Sequence, residues 1–284
     1  MEQFNEGKQV NTIKGFRSAI AAFHTGFEDG STVSNNTALS QLIQGMFVNR
    51  PVVRRLSPPW NMTLVLETLA RPPFEPLRDA SLRAITIKTA FLLAAASLRR
   101  RSALHALTLE KGHINFENGG VRLLPDPSFI AKNQTLEFLP ESIFLRELSA
   151  FSSVPEDRFW CPVRALKAYI KATQNLRGDT TALFVSLNAP HGRVSRETIS
   201  RWISLAITAN PDAVITGERV HAHQVRALAS SLAFFKRVPL KEILAAAVWK
   251  TPTTFISAYL RNMVPTEGAA GAAVLSASTA PSSH

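Results

Sequence analysis

Residues 89 to 107 read TAFLLAAASLRRRSALHAL, an apolar run that ends in three consecutive arginines. The apolar part falls well short of the roughly 20 residues that cross a bilayer, so it predicts a buried helix and no membrane span. Arg100 lies four residues before Leu104. If the next helix extends back that far, this spacing turns Arg100 inward and directs Arg99 and Arg101 outward.

A buried arginine needs an anion, and phosphate suits its planar, bidentate guanidinium. The three arginines could instead form a solvated basic cluster, which is the commoner role of a surface charge run. The composition favours an anionic partner, because 32 Lys and Arg face 21 Asp and Glu in 284 residues, a formal net charge of +11. Such an excess is typical of chains that meet a polyanion.

The composition also excludes several protein classes. Hydrophobic residues make up 45% of the chain, too many for a disordered protein. The single cysteine, Cys161, permits neither an intramolecular disulfide nor a cysteine-rich zinc site. The N-terminus carries charges of both signs with no apolar run behind it, which does not fit a secretory signal. We therefore expect a folded, soluble, intracellular protein with no membrane partner.

The pattern along the chain predicts a mainly α protein with a small antiparallel β-sheet in the middle. Asn118-Gly119-Gly120 marks a hairpin turn between strands at 113–116 and 121–124. Two further segments, 129–131 and 136–139, could add strands. Apolar spacing, caps and prolines predict helices over 13–23, 39–47, 61–70, 82–98, 102–109, 162–176, 195–209, 220–235, 240–248 and 253–262.

These elements suggest four parts of the chain. Residues 1–48 predict a partial helical domain, because two helices alone need a partner to bury their apolar faces. Residues 49–59 hold three prolines and predict a basic linker. Residues 60–264 form the predicted main domain. Residues 265–284, a Gly, Ala, Ser and Thr tract with little to pack, predict a disordered tail.

Residues 220–235, VHAHQVRALASSLAFF, place His223 and Arg226 three apart and so on one helix face. Spacing alone favours a half-buried histidine beside a surface arginine, since the pattern is short. Of the two tyrosines, Tyr169 lies in an amphipathic helix where packing is expected. Tyr259 is the better candidate nucleophile, although a core aromatic at a helix end is the commoner use of such a residue.

The order of these residues resembles the catalytic domain of the tyrosine recombinase (phage integrase) family. The resemblance covers about residues 60–262 and rests on Arg100, Lys132 in a β region, His223-Gln-Val-Arg226, Trp249 and Tyr259. The segments RPPFEPL, FWCPVRALKAYI and AVWKTPTTFISAYL look most like recombinases of DIRS-like retrotransposons and related animal elements. VNTIKGFRSAIAAFH is similar to the closing part of the family's core-binding domain.

The resemblance implies a site-specific recombinase or integrase that breaks and rejoins DNA through a 3'-phosphotyrosyl intermediate, with no metal and no cofactor. Tyr259 would attack the scissile phosphorus. Arg100 and Arg226 would stabilise the charge that develops on the phosphate oxygens.

Three further roles follow from the same resemblance. Lys132 would protonate the departing 5' oxygen; Lys111 lies near the same β region, but it comes right after a helix and fits this role poorly. His223 would handle a proton near the nucleophile or the phosphate. Trp249 stands where many members have histidine, and it would donate its indole N–H to a phosphate oxygen.

The implied partner is double-stranded DNA, on which the family's recombinases assemble as synaptic tetramers. In a eukaryote this implies a nuclear protein of a transposable element. We expect further DNA contacts from the linker and the basic cluster, namely Arg50, Arg54, Arg55, Arg99 and Arg101.

Two departures from the family pattern leave other functions open. Ala103 stands where the family usually has an acidic residue, and the opening helices of the core-binding domain have no counterpart. Both features favour a catalytically inactive DNA-binding remnant. A third possibility is an unrelated helical nucleic-acid-binding protein, which predicts that Arg100, His223, Arg226 and Tyr259 do not meet in space.

Overall fold

The computed structural model describes residues 1–51, 57–131, 142–215 and 219–261. The chain divides into two units, Met1–Arg55 and Leu56–His284. Within the described ranges, every helix is too short or too polar to cross a membrane.

The first unit is built from three helices, α1 (Glu2–Asn5), α2 (Val10–Ala21) and α3 (Thr37–Asn49). Its small core consists of Val10, Ile43 and Met46. The helix α2 begins at Val10, three residues before its predicted start, and ends at Ala21. The apolar face predicted for α2 is largely exposed, and Phe23 just after it is 91% exposed.

The second unit contains the elements α4 (Met62–Leu69), α5 (Leu82–Ser97), α6 (Arg101–His105), β1 (Ile114–Glu117), β2 (Gly120–Leu123), β3 (Ile143–Arg146), α7 (Pro162–Thr173), α8 (Arg196–Thr208), α9 (His223–Phe235), α10 (Leu240–Ala247) and α11 (Pro252–Thr254). A π-helical turn, Phe255–Tyr259, follows α11 directly. Short 3-10 turns lie at Leu148–Ala150, Pro155–Trp160 and Pro211–Ala213.

The central element of this unit is α5, which packs against α7, α8 and α9. Residues on all sides of α5 are buried, as expected for a helix that is apolar around its whole circumference. Ser81 caps its start, since the Ser81 hydroxyl accepts a hydrogen bond from the Ala84 N–H at 3.2 Å. The predicted buried helix at this position is confirmed.

One charged residue, Lys88, is fully buried within α5. Its ammonium donates to the Leu69 carbonyl at 2.7 Å and to the Glu75 carboxylate. Arg164 on α7 donates to both oxygens of the same carboxylate, at 2.6 and 2.9 Å. The buried charge is therefore paired, and this pairing ties three segments of the unit together.

Among the described residues, the sheet has the order β1-β2-β3, and both pairings are antiparallel. The predicted hairpin at Asn118-Gly119 is present, with Gly119 at φ +81°, where glycine is favoured. The segment 129–131 is not a strand, and 136–139 lies outside the described residues. The third strand is β3, whose four residues alternate between buried and exposed, a pattern too short to predict a strand from sequence.

Two predicted helices are shorter than expected. The helix predicted over 102–109 ends at His105, because Leu107 and Thr108 form β-bridges with Pro125 and Ala182. The helix predicted over 253–262 is divided between α11 and the π-helical turn. The fold class, mainly α with a small antiparallel sheet, is confirmed.

Candidate active site

A basic cavity of about 1120 Å³ opens on the second unit. Its wall is formed by the α5–α6 turn, residues 126–130, the first turns of α8, residues 219–226 and the end of the π-helical turn. Arg100, His223, Arg226 and Tyr259 all line this one cavity. Residues spread over more than half of the chain are thus brought together by the tertiary fold.

The turn between α5 and α6 positions Arg99 and Arg100 at the cavity. Leu98 ends α5 in the left-handed conformation, with φ 53°. Arg100 follows in extended backbone as the N-cap of α6, which begins only at Arg101. The helix therefore does not extend back to Arg100, and Arg100 reaches the cavity from the turn.

The outward orientation predicted for Arg99 is wrong. Arg99 is only 8% exposed and lines the cavity, whereas the helical register predicted that it would point outward. The prediction assumed continuous helix, and the reversal at Leu98 removes that register. Arg101 is exposed at the rim, as predicted, where it donates to the Ser200 hydroxyl at 2.9 Å and lies 3.5 Å from the Glu197 carboxylate.

Arg226 is the most buried cation of the cavity, at 5% exposure. It lies one turn after His223 on the same face of α9, which is the predicted arrangement. Its guanidinium donates to the Ala247 carbonyl and lies 4.5 Å from the Trp249 ring. Burial, followed by the charge of Arg100, lowers the pKa of Arg226 to about 10, so the group stays charged at neutral pH.

His223 opens α9 at the wall of the cavity. Its ring stacks on His221, with ring centroids 5.4 Å apart. Partial burial lowers the pKa of His223, and the charges of His221, Arg261 and Arg101 lower it further. The imidazole is therefore neutral at physiological pH and can accept a proton.

The segment that carries Tyr259 is held at both ends. Phe255, at the start of the π-helical turn, is fully buried. Beyond the turn, the Arg261 N–H donates to the Ser231 hydroxyl at 2.9 Å, and that hydroxyl lies 3.4 Å from the Tyr259 carbonyl oxygen. Ser231 belongs to α9, so the tyrosine segment is tied to the helix that carries Arg226.

Trp249 does not line the cavity but packs directly behind it. The Trp249 ring is 4% exposed and lies 4.5 Å from the Tyr259 ring. Its indole N–H is buried and has no hydrogen-bond acceptor among the residues described. An apolar cluster beneath the site joins Trp249 to the turn before Arg100, and its members are Leu98, Ile243, Ala247, Trp249 and Phe255.

Two of the residues that position this site have left-handed backbone. Leu98 precedes the cavity arginines, and Val248, at φ 53°, precedes Trp249. This conformation is unfavourable for leucine and more so for the β-branched valine. Such strain persists only where the surrounding packing imposes it, and here the buried cluster does so.

Several predicted positions lie elsewhere or outside the described residues. Lys132, Arg54 and Arg55 are not among the residues described. Arg50 belongs to the first unit, where its guanidinium lies over the Phe4 ring at 4.2 Å.

The packing role predicted for Tyr169 is confirmed. Tyr169 is fully buried, and its hydroxyl accepts a hydrogen bond from the Val185 N–H at 3.0 Å. Ala103 is 9% exposed on α6, so no carboxylate occupies that position beside Arg100.

Sequence reasoning missed a second group of basic residues at the cavity. The cavity lining also includes His105, Arg193, Arg196, Arg201, Arg219 and His221. Three of them, Arg193, Arg196 and Arg201, fall within nine residues of sequence, and this local density of charge was the available signal. Within the described ranges, no group of three His, Cys, Asp or Glu residues is arranged to hold a metal ion.

A scan against protein-family models finds no match, and a search of curated proteins finds no significant relative. Among solved structures, the XerA recombinase is similar over 99% of this chain and 89% of its own, with 13% identity and a TM-score of 0.51. The XerH site-specific recombinase, bound to palindromic difH substrate in a post-cleavage complex, is similar over 89% of this chain and 64% of its own, with 14% identity and a TM-score of 0.53. The second unit has the catalytic fold of the tyrosine recombinases.

Proposed function

We propose that the protein is a site-specific tyrosine recombinase that breaks and rejoins double-stranded DNA through a 3'-phosphotyrosyl intermediate. The observation that carries the proposal is the convergence of Arg100, His223, Arg226 and Tyr259 on one basic cavity. The likeness to XerA and to DNA-bound XerH supports it at the level of fold. Convergence also argues against an unrelated helical protein in which these residues match by chance.

In the proposed first step, the Tyr259 oxygen attacks the scissile phosphorus. A P–O bond to the tyrosine forms, the bond to the 5' oxygen breaks, and the phenolic proton passes to His223. A protonated phenol is a weak nucleophile, so a neutral imidazole that accepts its proton assists the attack. Lys132, which lies outside the described residues, would protonate the departing 5' oxygen. Rejoining is the reverse, with a new 5' hydroxyl as the attacking group.

The arginines supply the electrostatic part of this mechanism. A phosphodiester gains negative charge on its equatorial oxygens in the transition state, and Arg100 and Arg226 are positioned to meet it. Arg226 lacks a salt bridge among the residues described, so its charge is available to a phosphate. Trp249 lies behind the cavity, where its ring packs against the Tyr259 ring and its buried indole N–H has no acceptor among the residues described.

Covalent trapping tests this proposal. Incubation with nicked duplexes that lose their 5' fragment on cleavage should leave a DNA adduct that survives denaturant. Tyr259→Phe removes only the hydroxyl and should abolish the adduct while DNA binding persists. The matched control is Tyr169→Phe, which removes a hydroxyl that bonds inside the core and should retain the adduct. An adduct that survives in Tyr259→Phe would contradict the mechanism.

A second candidate function is a DNA-binding remnant that no longer cleaves. The observation that favours it is the buried Ala103, where the family's usual carboxylate is absent. If the parent chain binds DNA but gives no adduct on any duplex in a mixed-sequence pool, the remnant is the better description. Ala103→Glu in that chain would then test whether the missing carboxylate explains the loss.

We further propose an origin in a DIRS-like or related animal element, a nuclear location and assembly as a tetramer on DNA. The sequence resemblance supports these statements, and each has a direct test. Sedimentation of the protein with DNA would show the number of copies, and imaging of the tagged chain in host cells would show its location.

A further inference from the structure

The cavity holds more positive charge than a single phosphate requires. Besides Arg100 and Arg226, it is lined by Arg193, Arg196 and Arg201. Its volume of about 1120 Å³ reaches the upper end of the range for pockets that enclose whole small molecules. A ligand that extends beyond one phosphate group is therefore the better fit.

The arginines of the cavity form two sets, and each set lowers the pKa of a different residue of the cavity wall. The inner set is Arg99, Arg100 and Arg226, in which the charges of Arg100 and Arg99 lower the pKa of Arg226 beyond the effect of burial. The outer set is Arg193 and Arg196. After burial, these two charges lower the pKa of His105, a different part of the cavity wall. The two sets therefore lie around different points of one cavity.

The outer set is held by backbone and not by carboxylates. Arg193 donates from one guanidinium nitrogen to the His105 carbonyl at 3.0 Å, and its own backbone forms a β-bridge with Val185. Arg196 is the first residue of α8, next to the cap residue Ser195. Its side chain has no hydrogen bond or ion pair among the described residues, so its guanidinium is available to a ligand.

Few negative charges balance the outer set. The acidic residues at the cavity are Asp126 and Glu197. Asp126 lies near enough to Arg193 for that charge to lower its pKa, after the stronger effect of hydrogen bonds from Ser128. Glu197 lies 3.5 Å from Arg101. Asp126 thus offsets part of the charge of Arg193, whereas Arg196 has no ion pair among the described residues.

We propose that the outer set binds a second phosphate of the cleaved DNA strand, next to the phosphate held by the inner set. The inference rests on the proposed function and extends it from one phosphate to two. Phosphates follow one another at about 3.4 Å of helix axis along each strand, so a strand whose phosphate enters the inner set brings its neighbour to the rim. Contacts to phosphates fix the register and orientation of a protein on DNA. The outer set therefore helps to hold the bound strand, and the inner set stabilises the reacting phosphate.

A salt series on DNA binding measures the outer contact without any need for cleavage. The variants are Arg196→Ala and the double variant Arg193→Ala/Arg196→Ala. The matched control is Arg83→Ala, which removes an exposed arginine of α5 outside the cavity. Each phosphate contact contributes about 0.9 to the slope of log K against log salt concentration. The double variant should lose about 0.9 from the parent's slope, and Arg83→Ala should lose nothing.

Arg196→Ala alone keeps the test decisive if the double variant folds poorly, because the Arg196 side chain is exposed. A slope unchanged from the parent in Arg196→Ala, and in the double variant if it folds, would overturn the proposal. So would a slope that falls equally in Arg83→Ala.

The covalent assay separates this inference from the proposed function. At saturating nicked DNA, Arg196→Ala should form the Tyr259 adduct at the parent's rate, since the outer set does not touch the reacting phosphate. Arg100→Ala should be slow even at saturation. An Arg196→Ala variant as slow as Arg100→Ala at saturation would overturn the assignment of Arg196 to a phosphate other than the reacting one. A parent chain that forms no adduct contradicts the proposed function, while the salt slopes still decide the second phosphate contact.

Discussion

Arg226→Met should leave the protein at least as stable as the parent when no anion is bound. This expectation differs from the usual result for a buried ion pair, in which removal of one partner lowers the stability by about 3–5 kcal/mol. Arg226 is 5% exposed and, among the described residues, has no salt bridge, with Arg99 and Arg100 as its charged neighbours. Its buried charge therefore lowers the stability of the folded state until a phosphate binds.

The size of the effect follows from the pKa of Arg226. Burial and the charge of Arg100 lower this pKa from 12.5 to about 10. At about 1.4 kcal/mol per pKa unit, the difference amounts to about 3 kcal/mol against the folded, charged state. Because the folded pKa is the lower one, the penalty is present in full below about pH 10 and is relieved only as the pH rises above it.

Methionine removes this penalty but also removes two favourable contacts. The hydrogen bond to the Ala247 carbonyl contributes about 1 kcal/mol, and the contact with the Trp249 ring contributes about 0.5–2 kcal/mol. The net expectation is a variant that equals the parent in stability or exceeds it by up to about 2 kcal/mol.

Urea unfolding in sodium chloride and in sodium sulfate at equal ionic strength provides the assay. Sulfate stabilises folded proteins in general, so Arg83→Met serves as the matched control for that effect. A sulfate ion in the cavity should give the parent and Arg83→Met about 1–3 kcal/mol more than it gives Arg226→Met, a gain limited by the penalty it relieves. Equal sulfate gains in all three proteins would refute the reasoning. A loss of 3 kcal/mol or more for Arg226→Met in chloride would do so as well.

Three further predictions concern the fold and the proton chemistry. Glu75→Gln should lower the free energy of unfolding by about 3–5 kcal/mol in urea titrations at pH 7. Burial alone would raise the pKa of Glu75, but hydrogen bonds and charges from Arg164 and Lys88 lower it below its ordinary 4.5, so the parent should lose this stability as the pH falls below that value, and Glu75→Gln should not. Gly120→Ala should destabilise the sheet measurably in thermal melts, because the added Cβ would lie 2.3 Å from the Leu145 carbonyl oxygen. The rate of adduct formation should be unchanged from pH 8 to pH 7 and should fall only at more acidic pH, since the lowered pKa of His223 keeps its imidazole neutral through that range; a rate that already falls between pH 8 and pH 7 would contradict this.

The elements that the sequence predicted well are those with strong local signals. The apolar run of α5 is buried, His223 and Arg226 share one face of α9, and Gly119 turns the first hairpin. In each case the relevant physics acts within a few residues. Helical periodicity, capping and the conformational freedom of glycine are determined by residues that are close in sequence.

The elements that the sequence predicted poorly depend on contacts between distant segments. The strand β3 is defined by its pairing with β2, and the helix after Arg101 stops at His105 because Leu107 pairs with Pro125. Neither partner is close in sequence. A strand of four residues carries too little alternation to reveal its pairing.

By itself, then, the sequence determined the mainly α class, the net charge of +11 and the separate identities of the candidate residues. Only the tertiary structure decided that Arg99 faces inward and that Arg193 and Arg196 join the same cavity. The physical reason is that each outcome depends on contacts between distant segments. Arg193 is held at the cavity by the His105 carbonyl, and Arg99 turns inward at the backbone reversal of Leu98, which lies in one buried cluster with Trp249 and Phe255. That packing joins residues about 150 positions apart, and no local pattern of sequence contains it.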